Sequence, residues 1–315
     1  MDKKDFLRVA DYTKDEINEI FDLTGRIKVR QKKGDSARPL EGRTLGMIFQ
    51  KSSTRTRVSF EVGMYQLGGY PLFLSANDLQ LKRGETIADT ARVLSRMLDA
   101  IMIRTYAHSE AEELAKHATI PVINGLTDSH HPCQIMADIY TVLEHRKNVK
   151  GLTVAWVGDG NNVLHSWMEG APLTGMNLRM AVPPGYEPDK EILEFGADLA
   201  KKENTEMLLT NDPVEAVKGA DIIYTDVWVS MGQDAEKEKK LRDFKGFQIN
   251  AGLMKHAAPD YLFMHCLPAH RGEEVSAEII DGAHSIILDE AENRLHVQKA
   301  ILTAHMLRGK TLQDI

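Results

Sequence analysis

Residues 49–63, FQKSSTRTRVSFEVG, crowd Ser52, Ser53, Thr54 and Thr56 together with Arg55 and Arg57 at the junction of an apolar run and a helix-like segment. A helix start offers free backbone N–H groups and the positive end of the helix dipole, both suited to an anion. The hydroxyls add donors, and Arg55 adds a planar fork of permanent charge. Two readings follow. A capped helix with solvated arginines needs one hydroxyl; a phosphate or carboxylate site uses all of them. The G-x-x-x-x-G-K pattern of a Walker loop is absent.

Other chemistry-bearing residues lie at comparable places. Arg104 closes the apolar run AIMIRT, either as a surface arginine or as a charge delivered to the same sheet edge as the turn. His131 and Gln134, in HHPCQIMAD, are three apart and share one face of a first helical turn, where capping is the plainer role. Asp226 ends ADIIYTD and offers a carboxylate suited to an ammonium group. In TVAWVGDGNNVLHS, Gly158 and Gly160 follow a strand, but Val163 stands at the third glycine position and no acid ends the next strand. Those two departures argue against a nicotinamide site. Cys133 and Cys266 each neighbour a histidine, yet neither has zinc-ligand spacing and proline interrupts both stretches, so no metal is expected there.

Positioning these groups requires strands that end where they begin. A helix is expected over 14–31 with Thr13 as N-cap, then strands at 43–50, 69–75, 100–105 and 121–125, with helices near 55–67, 86–98, 109–118 and 132–146. A second alternation follows, with strands at 150–160, 178–183, 205–212, 220–226, 247–250, 262–268 and 285–290, before a final helix. Pro172 is expected to kink the helix behind Asn162 or end it early. Strands alternating with helices imply parallel sheets covered on both faces. The expected fold is α/β, two doubly wound parallel-sheet domains, the first over 1–148 and the second over 149–289, with the C-terminal helix 290–315 packing back on the first.

A chain of 315 residues suits two domains of roughly 150 residues. Its net charge of −7 argues against a nucleic-acid partner, and no apolar stretch is long enough for a membrane span. The N-terminus lacks an apolar signal core, and two cysteines suit a reducing, cytoplasmic setting.

STRT at 53–56, Arg104 in MIRT, HPCQ at 131–134, DVWVSMG at 226–232, HCLP at 265–268 and ENR at 292–294 occur in one order along the chain. That ordered set resembles the aspartate/ornithine carbamoyltransferase family. The resemblance implies carbamoyl transfer from carbamoyl phosphate to the δ-amine of L-ornithine, by direct attack and without a metal or redox cofactor. It implies that Ser53, Thr54, Arg55 and Thr56 cradle the phosphate, that Arg104 bridges phosphate and carbamoyl oxygen, and that His131 donates to that oxygen. Gln134 and the Leu267 carbonyl, before a cis Pro268, would accept from the carbamoyl NH₂, and Arg294 would return the final helix to this site. Asn162, Asp226, Ser230 and Met231 would hold ornithine, with Cys266 near the attacking amine rather than as a covalent nucleophile. Gln80 would reach into a neighbouring subunit, so the implied assembly is a homotrimer, or an assembly of trimers, with shared sites. Transfer to N-acetylornithine or putrescine, and an inactive regulatory relative, are the alternatives.

Overall fold

The computed structural model describes residues 3–35, 37–75, 84–229 and 236–308. The chain divides into two units, one formed by residues 1–140 and 292–315, the other by residues 141–291. Both divisions fall inside helices.

In the first unit, α1 (Lys14–Lys32) is opened by a capping box in which Thr13 accepts from the Glu16 N–H and Glu16 accepts from that of Thr13. The strands are β1 (Thr44–Phe49), β2 (Tyr70–Ser75), β3 (Ala100–Arg104) and β4 (Val122–Leu126). Between them run α2 (Thr54–Gln66), α3 (Ile87–Leu94) and α4 (His108–His117), followed by α5 (Pro132–Arg146). All pairings are parallel, in the order β2-β1-β3-β4. The run AIMIR is buried at every position, as a strand covered on both faces must be. β2 is an edge strand with exposed positions.

The second unit contains β5 (Thr153–Val157), β6 (Asn177–Ala181), β7 (Met207–Thr210), β8 (Ile222–Thr225) and β9 (Leu262–His265), parallel in the order β7-β6-β5-β8-β9. Its helices are α6 (Asn162–Thr174), α7 (Lys190–Glu203), α8 (Pro213–Val217), α9 (Lys237–Asp243), α10 (Ala251–Met254) and α11 (Ala277–Ile280). The last helix, α12 (Ile287–Met306), begins in this unit, and from Glu292 onward it belongs to the first. Two parallel α/β sheets and a returning C-terminal helix are thus present.

Two sequence expectations fail locally. Residues 247–250 form no strand; Ile249 makes one isolated bridge to Val275. Phe247 and Ile249 are buried in the core of this unit, so their alternation reports packing rather than sheet pairing. Residues 285–290 also form no strand. Ser285 bridges Phe263, after which the chain turns into α12 with Asp289 and Glu290 in its first turn, where acidic groups suit the dipole. Leu288, in the middle of that apolar run, is 76% exposed. Pro172 sits inside α6 without ending it. The stop comes at Gly175, φ 79°, whose N–H reaches the Pro172 carbonyl while the Met176 N–H reaches that of Ala171.

Candidate active site

Sheet topology selects one place in each unit. From β1 the chain moves to β2 on one side, then returns to place β3 on the other, so the strand order reverses between β1 and β3. In the second unit the reversal lies between β5 and β8. Open α/β sheets leave a crevice beyond the strand carboxyl ends at such points.

At the first switch point, Phe49 and Arg104 are register partners at the ends of β1 and β3. The Gln50 N–H donates to the Arg104 carbonyl at 2.8 Å, fixing the exit from β1. Ser53 caps α2, its Oγ accepting from the Thr56 N–H at 3.2 Å. The Thr56 side chain is almost fully buried, and its Oγ1 accepts from Arg104 Nη1 at 3.4 Å and from Arg294 Nη2 at 3.1 Å. Arg294 Nη1 donates to Gln134 Oε1 at 2.5 Å, and Gln134 Nε2 donates to Asp138 Oδ1 at 2.8 Å. Residues far apart in sequence therefore meet at one hydroxyl. His131, just before α5, is buried beside them. Burial first, then the charges of Arg294, Arg104 and Arg55, hold its pKa well below the ordinary histidine value. The ring is neutral near pH 7, a hydrogen-bond partner in a positive field. That field suits an anion with an oxygen gaining charge.

The neighbouring Cys133 is a different kind of group. It is fully buried, its Sγ donates to the Asn124 carbonyl at 3.4 Å, and burial pushes its pKa up to about 12. It acts as packing, not as a nucleophile.

At the second switch point, Asn161 caps α6, its Oδ1 accepting from the N–H groups of Val163 and Leu164. Its Nδ2 donates to Asp226 Oδ2 at 2.8 Å, bridging the ends of β5 and β8. Asp226 Oδ1 accepts from its neighbour Val227 N–H at 2.8 Å and from Cys266 Sγ at 3.1 Å. All three donors are neutral. Leu267, at φ 57°, is in the left-handed region, and the peptide to Pro268 is cis. Its N–H donates to His265 Nδ1 at 2.9 Å, which leaves the ring proton on Nε2, 3.2 Å from Glu274 Oε1. Glu290 Oε2 accepts from the His265 N–H at 2.9 Å and its Oε1 from Tyr224 Oη at 3.1 Å. A buried network thus fixes the backbone on which Cys266 and Leu267 stand. Asp226, His265 and Cys266 each bring one ligand-type atom within 4.8 Å of the others, but these atoms already serve one another and their neighbours as hydrogen-bond partners.

The glycine-rich turn after β5 is filled by protein. The Gly160 N–H donates to the Tyr186 carbonyl at 2.9 Å, and a Cβ on Gly160 would lie 2.4 Å from that oxygen. Asp159 of the same turn accepts from Lys240 Nζ at 2.6 Å in a buried ion pair.

Residues 150–305 match the family model described as aspartate/ornithine carbamoyltransferase, Asp/Orn binding domain, and residues 4–144 match its carbamoyl-P binding domain. The chain belongs to the aspartate/ornithine carbamoyltransferase family. It is 62% identical over 300 residues to an ornithine carbamoyltransferase of Carboxydothermus hydrogenoformans, covering 95% of this chain and 96% of that one. An anabolic ornithine carbamoyltransferase of Pyrococcus furiosus is 56% identical over 303 residues, covering 96% of both. The solved structure of an ornithine carbamoyltransferase from Pyrococcus furiosus superposes with a TM-score of 0.94 at 55% identity, over 98% of each chain.

Thr56, Arg104, Gln134 and Arg294 are brought into one bonded cluster, with His131 and Arg55 beside it. Asp226 and Cys266 meet directly. Asn162 is the first residue of α6, whereas the bond to Asp226 is made by Asn161, which the sequence reading passed over. The signal for Asn161 was present, since an Asn directly before an apolar helical run is an N-cap pattern. Lys240 and the carboxylates Glu274 and Glu290 were also missed; nothing local in the sequence ties them to their partners. Gln80, Ser230 and Met231 lie outside the described residues.

Proposed function

We propose that this chain transfers the carbamoyl group of carbamoyl phosphate to the δ-amine of L-ornithine, giving L-citrulline and phosphate, a step in arginine biosynthesis. The observation that carries the reading is the buried convergence of Arg104 and Arg294 on Thr56, with a neutral His131 beside them. In this reading the turn Ser53–Thr56 and Arg55 receive the phosphate, while Arg104 and His131 donate to the carbamoyl oxygen. Attack by the amine lone pair converts the carbonyl into a tetrahedral centre and puts negative charge on that oxygen, where preorganised donors count most. The centre collapses by breaking its bond to the phosphate oxygen, and the departing phosphate takes up the amine proton. Gln134 and the Leu267 carbonyl are the assigned acceptors for the carbamoyl NH₂.

In the second unit, Asp226 is assigned to the ornithine α-ammonium, with Asn162, Ser230 and Met231 completing the amino-acid site and Cys266 next to the attacking nitrogen. Among the described residues the Asp226 carboxylate accepts from an amide, a backbone N–H and a thiol, neutral donors that support a cationic ligand. A rise in kcat/KM for ornithine from pH 6 to 9 is expected, because an alkyl amine with pKa near ~10 is largely protonated at pH 7.

The assembly we assign is a homotrimer, or trimers joined further, with Gln80 completing a neighbour's site. Val58, Val62 and Tyr65 expose an apolar stripe along α2, and Tyr70 and Leu72 do so on the edge strand β2, immediately before residues 76–83. Among the described residues no helix is long and apolar enough to cross a membrane. A cytoplasmic setting fits two cysteines that are not joined in a disulfide.

The test is product formation from carbamoyl phosphate with ornithine, putrescine, N-acetylornithine and aspartate in parallel. Strong preference for ornithine supports the reading. Transfer to another amine would overturn the substrate assignment, and no transfer to any would overturn the reaction.

A further inference from the structure

Away from the switch point, the first unit holds a cavity of about 370 Å³ framed by the end of α1, the chain that follows it, the end of α2 and the middle of α12. Its size is at the lower end of the range for small-ligand pockets. It is separate from the phosphate cluster along α2, because Thr56 and Gln66 are ten residues apart, roughly 15 Å of helix.

Its chemistry is one-sided. Lys299 lines it and is only 2% exposed. The Lys299 ammonium donates to Gln66 Oε1 at 3.0 Å and to Gln31 Oε1, and both glutamines line the cavity too. Those acceptors are neutral amide oxygens. With both oxygens turned to the lysine, the two amide NH₂ groups stand as further donors, and an ammonium has a third N–H to give. Arg30 and Arg38 also line the cavity. Their acidic neighbours are exposed surface groups, with Arg30 Nε 3.3 Å from Asp35 and Arg38 Nη1 3.6 Å from Glu41. Ile27 and Leu67 add apolar surface. Three cations and two amides face one carboxylate, Asp35, across this lining.

Burying an ammonium against neutral oxygens is costly unless a counter-charge arrives, and the cost here shows as a Lys299 pKa lowered to about 8 by desolvation. The helix leaves no easy escape. A Cβ on Gly63 of α2 would lie 3.2 Å from Lys299 Cγ, so the aliphatic stem is closely packed where it passes α2.

We propose that this cavity is a binding site for a small organic carboxylate, distinct from the reacting substrates' sites, with the carboxylate seated on Lys299 and the guanidiniums of Arg30 and Arg38 at its rim. Donor-rich walls select an anion, and the apolar side favours a short carbon body over a bare inorganic ion.

The test is calorimetric titration of the full-length protein with succinate at pH 7 and low salt, with butylammonium as the cationic control. Saturable binding of one succinate per chain is expected, weakened at least tenfold in Lys299→Met and severalfold in Arg30→Gln/Arg38→Gln. Arg55→Gln, which alters the phosphate cluster, should leave it within twofold. The rim variant keeps the test decisive should Lys299→Met fail to fold. Absence of saturable binding, binding indifferent to both lysine and rim variants, or binding lost in Arg55→Gln would each overturn the proposal.

Discussion

His131 is buried between three arginines, and that environment decides what it can do. A cationic imidazole would repel them; a neutral one can donate to an oxygen that gains charge during attack. Replacing His131 or Arg104 by alanine is expected to lower kcat on the order of 10²–10³-fold, the usual loss for a donor to a developing oxyanion, as steady-state kinetics will show. Unchanged turnover in either variant would remove that residue from the chemistry. Much of this cluster was legible as residue types at strand ends and helix starts. What the sequence could not show was the sharing: Thr56 receiving two guanidiniums depends on α12 returning from 238 residues away. Asn161 was missed for a different reason, because two adjacent asparagines satisfy the same motif and only geometry shows which one caps α6 and holds Asp226.

At the level of elements, β3 and β5, buried at every position, and β1, buried at all but Thr44, were the easiest to read, since strands covered on both sides need apolar runs. The expected strands at 247–250 and 285–290 also carry apolar residues but lack sheet partners beyond isolated bridges. Phe247, Ile249 and Ile287 are buried in the second unit's core, a tertiary fact that no local window contains. The turn after β5 gives a sharp element-scale expectation. A methyl on Gly160 would lie 2.4 Å from backbone atoms of Tyr186 and Pro188, neither the end of a flexible side chain. Gly160→Ala is therefore expected to destabilise the protein by about 1–3 kcal/mol, measured by denaturant unfolding. A loss below a few tenths of a kcal/mol would mean that the 183–188 segment yields without cost.

For the whole molecule, buried histidines set the response to acid. Desolvation lowers the pKa of His305 from 6.5 to about 4, and that of His296 likewise to about 4. A depressed histidine pKa means that the unfolded chain binds the proton first, so stability is full above pH 6.5 and is lost as pH falls toward 4. His305 alone is expected to cost about 2 kcal/mol between pH 7 and pH 5, and His305→Gln should flatten the fall in unfolding free energy over that interval. Equal slopes in the two proteins would contradict the neutral buried state. Assembly is a second property at this scale. Mixing Gln80→Ala chains with Arg55→Ala chains should restore part of the activity if subunits complete one another's sites; no recovery in any mixture would argue for self-contained subunits.

In the proposed reaction the labour is divided, with one unit holding the carbamoyl donor and the other reading ornithine through Asp226. The most direct measurement is the pair of KM values in Asp226→Asn. The KM for ornithine is expected to rise about 10–100-fold, the loss of a charged hydrogen bond, with the KM for carbamoyl phosphate within twofold of the parent. An ornithine KM that does not move, or two KM values that rise together, would contradict it.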